Sequence, residues 1–255
     1  MTDVTGLRIL HVADLHYALP QFDWLVKTAE QFDLVVLAGH QLHLASPVPD
    51  DAEIPAVLEY LALLDQRTRV VMSSGNHDLT GPDANGEQAP LWLDDVRAAG
   101  IPTDHATIEV GDALVTICPW WDGPVGRTAV DAQLARDASR RGRPWIWVYH
   151  WPPLGSPTCW TGTRSYGDED LVGWIDRHQP DLVLTGHVHQ PPFREDGAWA
   201  DRIGRTWVFN PGQQRGPIPA HVGIDLGAGE AWWLSLRGGE ELRLDLDRAP
   251  DRTVF

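Results

Sequence analysis

Histidines recur in this chain at the ends of short apolar runs that read as β-strands. Asp14-Leu15-His16 follows the run 7–12, Gly39-His40-Gln41-Leu42-His43 follows 34–38, and Gly75-Asn76-His77-Asp78 follows 70–73. Tyr149-His150 closes 145–148, and Gly186-His187-Val188-His189 follows 182–185. In a parallel sheet the C-terminal strand ends share one edge, and ligands bind in the crevice outside it. Five separate turns would then deliver imidazole, carboxylate and amide groups to one place. Such a donor set builds a metal centre.

The pattern between these turns supports that fold class. Strands at 7–12, 34–38 and 70–73 alternate with helical stretches at about 22–31, 52–65 and 91–99. In the second helix Ile54, Val57, Leu58, Leu61 and Leu64 recur at the three-and-four spacing of one face. Strand–helix alternation implies a parallel sheet with right-handed crossovers. Further strands are expected at 107–110 and 113–118, with Gly111-Asp112 as their turn, and at 145–148. Helices are expected at about 130–140 and 168–177, the latter stopping before Pro180. Beyond Gly186, short strands near 205–209, 221–225, 231–235 and 241–244 are split by Gly-rich turns, as in antiparallel hairpins. The architecture expected is a two-sheet α/β sandwich with outer helices, one domain over 1–255, the strands from about 203 completing the second sheet. Pro- and Gly-rich stretches at 46–51, 81–89 and 155–167 are long enough to border a site.

Charge narrows the partners. The formal net charge is −16, and Lys27 is the sole lysine among the basic residues. A binder of nucleic-acid polymers, which covers phosphates with Lys and Arg, is not expected. A small phosphate ester remains compatible, because bound cations would dominate the field of a cleft. No apolar run approaches the ~20 residues of a bilayer span, and Cys118 and Cys159 are the only cysteines. The reading is a soluble, cytoplasmic protein without membrane association.

Taken in order, Asp14-x-His16, Gly39-x-x-x-His43, Gly75-Asn76-His77-Asp78, His150 and Gly186-His187-x-His189 resemble the calcineurin-like metallophosphoesterases. The resemblance implies a four-layer α/β/β/α sandwich of two mixed sheets with a dinuclear metal centre. By position, Asp14, His16 and His189 would hold one ion, and Asn76, His150 and His187 the other. His77 would contact the phosphoryl group or protonate the leaving oxygen, and Asp78 would orient it. A metal-bound hydroxide would hydrolyse a small phosphomonoester or phosphodiester. Arg164 and Arg215 are candidate phosphate clamps, since a guanidinium matches phosphate geometry.

One block departs from the family. Its pattern is Gly-Asp-x-x-Asp, whose first Asp bridges both metals; here those positions are His40 and His43. A neutral imidazole has one free lone pair, and an imidazolate is too long for the ~3.5–4 Å spacing of two-metal hydrolases. Three outcomes stay open. His40 ligates one of two ions and phosphoesterase chemistry survives; a mononuclear, iron-type site does redox or oxygen chemistry; or the centre is degenerate and the fold is a binding module. The cofactor expected is one or two divalent transition ions, Mn, Fe or Zn rather than Mg. His43 is a candidate additional ligand. His11, inside a strand, is expected in the core, and His105, His178 and His221 lie outside the motifs. Among thirteen tryptophans, Trp120, Trp121, Trp151 and Trp160 fall on segments expected to border the cleft.

Overall fold

The computed structural model describes residues 6–140 and 144–246, and the ends of the expected 1–255 unit lie outside them. Strands β1 (Arg8–Val12), β2 (Leu34–Ala38) and β3 (Arg69–Ser73) run parallel, linked by helices α1 (Leu19–Thr28) and α2 (Asp50–Asp65). A hairpin of two-residue strands, β4 (Gly81–Pro82) and β5 (Gln88–Ala89), and helix α3 (Leu93–Ala98) follow. The second half holds β6 (Thr107–Val110), β7 (Ala113–Ile117), α4 (Pro124–Ala138), β8 (Trp145–Val148), α5 (Glu169–His178) and β9 (Leu182–Leu184). The remaining strands are β10 (Ala200–Ile203), β11 (Thr206–Phe209), β12 (His221–Asp225), β13 (Glu230–Ser235) and β14 (Gly238–Arg243).

Two six-stranded mixed sheets result, ordered β14-β13-β12-β1-β2-β3 and β10-β11-β9-β8-β7-β6. Side chains alternate across a strand, so each central strand feeds two apolar layers. Ile9, Val36 and Val71 of the first sheet share one core with Val115, Ile146, Val148 and Leu184 of the second. Their neighbours Leu10, Val35 and Leu37 face outward onto Phe22 and Leu25 of α1 and Val57, Leu61 and Leu64 of α2. On the other side Leu114, Trp145, Trp147 and Val183 meet Val130 and Leu134 of α4 and Leu171, Trp174 and Ile175 of α5. Burial on both faces explains why these strands read as continuous apolar runs. The result is the expected α/β/β/α sandwich.

Three details differ from the sequence reading. Of the C-terminal strands expected to complete the second sheet, β11 lies in it, beside β9; β12, β13 and β14 instead extend the first sheet through β1. Alternation along a strand specifies faces, not which sheet receives the strand. Helix α4 begins at Pro124 rather than near 130, because Pro in the first turn starts a helix whose exposed residues carry no apolar period. Strand β10 escapes sequence detection because all its residues are half-buried and two of them are charged. Both cysteines are free and buried, and among the described residues no helix is long and apolar enough to cross a membrane.

Candidate metal centre

The five turns meet, and their backbone is bent to do so. Asp14, His16, His40 and His187 all adopt left-handed φ values, +58°, +47°, +59° and +64°. Such conformations cost about 1–3 kcal/mol each in non-glycine residues and cluster at functional sites. Cross-turn hydrogen bonds hold them: Asp14 N–H to Gly39 O at 3.1 Å and His16 N–H to His40 O at 2.9 Å. Gly39 (φ +81°) is required twice over, since a Cβ there would lie 2.2 Å from His150 Nδ1. A Cβ at Gly75 would lie 2.5 Å from the His40 ring and 2.6 Å from that of His150.

Asp14 is fully buried at the centre. Its Oδ1 lies 2.6 Å from His40 Nδ1, 3.4 Å from His189 Nε2 and 3.8 Å from His16 Nε2. Its Oδ2 accepts the His187 backbone N–H at 2.9 Å. Burial opposes its ionisation, but the charges and hydrogen bonds of His189 and His40 hold it well below the usual carboxylate range. His16 and His189 bring their Nε2 atoms to 3.0 Å of each other. On the far side, His150 directs Nδ1 to the Ala38 carbonyl at 2.5 Å, which fixes its tautomer and frees the Nε2 lone pair. That Nε2 is buried without a hydrogen-bond partner, as are both ring nitrogens of His187.

Orphaned buried nitrogens of this kind are expected where a cation completes the site. Three overlapping donor groups exist: Asp14–His16–His40–His189, His40–His150–His187 and His16–His43–His77, the atoms of each within 4.8 Å of one another. Desolvation lowers His16 and His187 to about 3 and His150 well below its ordinary value, whereas His189 is raised, the charge and hydrogen bond of Asp14 outweighing its burial. Lone pairs on His16, His150 and His187 are thus available for coordination. The residues fit divalent transition ions.

His40 holds an unexpected position. Its Nδ1 faces Asp14, while its Nε2 lies 2.7 Å from Asn76 Oδ1, beside the His150–His187 group. One nitrogen therefore serves each group, and an acceptor on both sides calls for either two ring protons or intervening cations. His43, on the same turn, joins His16 (5.2 Å between ring centroids) and stacks at 9° on His77.

Asp78 does something other than orient His77. Its carboxylate accepts four backbone N–H groups: His40 at 2.7 Å and Gly75 at 2.8 Å on one oxygen, Gln41 at 2.8 Å and Leu42 at 3.0 Å on the other. His77 Nδ1 has no partner. A short residue beside the turn fits these converging amides better than it fits a ring one position away. Arg164 and Arg215 fall beside different imidazoles of the centre. The Arg164 guanidinium sits 5.3 Å over the Tyr166 ring, which packs 5.3 Å from His187; Arg215 lines a cleft with His189.

Of the four tryptophans singled out, Trp120 and Trp151 wall His187 at 5.1 and 5.5 Å, whereas Trp121 donates to Tyr149 Oη at 2.8 Å and Trp160 pairs with Ser165. His11 is core, its Nε2 2.9 Å from the Thr185 carbonyl. Sequence reasoning missed Glu53, which accepts the His43 N–H at 2.9 Å, and Asp104, which holds Ser74 N and Oγ at 2.8 and 2.6 Å. Tyr166 was also missed. Glu53 sits in the acidic first turn of α2, a position that signals helix initiation rather than a site.

Imidazoles grouped with one carboxylate, Asp14, at the strand ends of such a sandwich fit a class, the metal-dependent phosphoesterases. A family model, calcineurin-like phosphoesterase, matches residues 7–191, and the chain belongs to that family. No curated protein sequence matches the chain significantly. The fold is similar to that of TT1561 from Thermus thermophilus, with TM-score 0.61 and 18% identity over 94% of this chain and 99% of that one. A dimetal phosphatase from Danio rerio gives TM-score 0.60 and 12% identity over 95% and 99% of the respective chains. Purple acid phosphatase PPD1 from yellow lupin (Lupinus luteus) seeds gives 0.60 and 13% over 94% of this chain and 54% of that one.

Proposed function

We propose that the chain hydrolyses small phosphomonoesters or phosphodiesters with one or two divalent transition ions held by Asp14, His16, His40, Asn76, His150, His187 and His189. The carrying observation is the set of orphaned, unprotonated nitrogens on His150 and His187 opposite the Asp14–His16–His189 group. An imidazole-dominated set favours Zn, Fe or Mn over Mg. Bound there, such ions supply positive charge to the phosphoryl oxygens and make water a stronger nucleophile near neutral pH. A cytoplasmic location belongs to the same reading, supported by the two free cysteines.

The protein's own groups divide the remaining work. Asp14 contributes the only carboxylate among the three donor groups and so the anionic charge that tolerates a cation. His77 is half-buried, and desolvation together with His40 and His43 lowers it to about 4. Near neutral pH it is a neutral ring, suited to hydrogen-bond a phosphoryl or leaving oxygen rather than to act as a standing cation. Trp120 and Trp151 give the His187 side an apolar wall. His77→Ala is therefore expected to lower turnover of an aryl phosphate by roughly 10²–10³, the effect of removing one aimed donor, with metal content unchanged. Undiminished turnover would remove His77 from the reaction.

His40 supports a second reading, a mononuclear site, because it stands where it touches both groups without a second charge to offer. Elemental analysis of protein purified without chelators distinguishes them: close to two ions per chain for the dinuclear site, close to one for the mononuclear. His40→Asp with His43→Asp is expected to tighten binding of a second ion and shift preference toward Mn or Mg. Unchanged stoichiometry and identity would show that His40 is not a ligand.

A further inference from the structure

Three arginines of this acidic protein gather in a cleft beside His189. A cleft of about 490 Å³ opens from His189, and its wall carries Arg194, Arg215 and Arg237 with Gln213 and Phe193. That volume accommodates a metabolite-sized body. Among the described residues, no Asp or Glu lies on the wall. Arg67, Arg97, Arg127, Arg136, Arg177, Arg205 and Arg243 each pair with a carboxylate; the three cleft arginines do not among the described residues, and unlike the scattered Arg8, Arg69 and Arg164 they share one cleft. In a chain of net charge −16, three exposed guanidiniums without a carboxylate partner around one cleft concentrate positive potential there.

The three come from different segments, and the fold ties these together. Gln213 N–H donates to the His189 carbonyl at 3.1 Å, joining the Arg215 loop to the metal-centre turn. Buried Gln21 brackets Arg215 by donating to the carbonyls of Gln214 and Gly216 at 2.9 and 3.0 Å. Gln214 Oε1 in turn accepts Leu236 N–H at 2.9 Å, which fixes the β13–β14 turn bearing Arg237. The Arg237 guanidinium is laid over the Phe193 ring at 5.3 Å. Guanidiniums match the oxygens of a phosphate group, and the segments that bear Arg215 and Arg237, with the Arg237 guanidinium itself, are held before binding, which lowers the entropy lost.

We infer that this cleft takes a second phosphate of the substrate, so that the ester cleaved at the metal centre belongs to an organic bisphosphate or diphosphate. The inference rests on the proposed hydrolysis at that centre. Its test uses the metal-loaded protein with glycerol 3-phosphate, 3-phosphoglycerate and fructose 1,6-bisphosphate, alongside calorimetry with methylphosphonate and methylenediphosphonate at fixed free metal. The expected kcat/KM for the bisphosphate exceeds that for glycerol 3-phosphate by about tenfold or more, the least expected from charge-assisted contacts. Arg194→Gln with Arg237→Gln should collapse that ratio toward one, and with it the preference for the diphosphonate. Hydrolysis of all three esters without preference overturns the subsite and leaves phosphoesterase activity standing. A 3-phosphoglycerate rate equal to that of the bisphosphate overturns the assignment to phosphate, since a carboxylate would then suffice. No hydrolysis, with diphosphonate preferred and that preference lost in the double variant, overturns the proposed reaction and retains the subsite.

Discussion

Replacing Asp14 with asparagine is expected to empty the centre of tightly held metal and to lower phosphoester turnover by more than about 100-fold. Loss of a group that merely supports a metal ligand already costs about 10–100-fold in affinity or activity. Asp14 is more central than that. It is the only carboxylate in the three donor groups, and one of its oxygens stands within 4.0 Å of a nitrogen from each of His16, His40, His150 and His189. The amide keeps the shape but loses the charge that offsets divalent ions, and its NH2 would confront either the His187 N–H or the His40 ring. Elemental analysis and an aryl phosphate assay on the purified variant check both halves. Full metal occupancy in Asp14→Asn would mean that the imidazoles suffice, and the assignment of Asp14 as a ligand would be wrong.

The second large effect is on stability. Asp78→Ala strips a buried acceptor from the backbone amides of His40, Gln41, Leu42 and Gly75 at once. Each buried N–H left without a partner costs about 1–3 kcal/mol, so a total on the order of 4 kcal/mol or more is expected. That is a large part of the ~5–15 kcal/mol by which a domain is stable. Asp78→Asn should rescue only in part, because an amide offers one acceptor oxygen and turns its NH2 toward donors. Urea unfolding of the metal-free proteins measures this directly. A loss below about 1 kcal/mol in the alanine variant would show that water replaces the carboxylate, and the turn would not depend on Asp78.

Much of the scaffold was legible because its signals are local. Strands such as β2 are short, wholly apolar and bounded by Gly or charged residues, so both-face burial shows in a run of five residues. The ligand turns follow their strands directly, and a parallel arrangement suffices to gather them. The atypical turn at 40–43 could be noticed in the sequence, but not its outcome. An imidazolate bridge is too long for a close metal pair, yet the ring lies with one nitrogen toward each donor group, a matter of rotamer and backbone φ at His40. Asp78 adjoins His77 in sequence while its carboxylate turns to the amides of another turn, a choice made by contacts 36–38 residues away.

The α/β alternation, the sandwich class and the gathering of Asp14 and the histidines at strand ends can be read from the sequence, because periodicity and strand-end turns act over a few residues. Only the folded arrangement settles which sheet receives β12–β14, where each imidazole points and how Arg194, Arg215 and Arg237 come to line one cleft. Those outcomes depend on packing between segments far apart in the chain, where no local pattern records the partner.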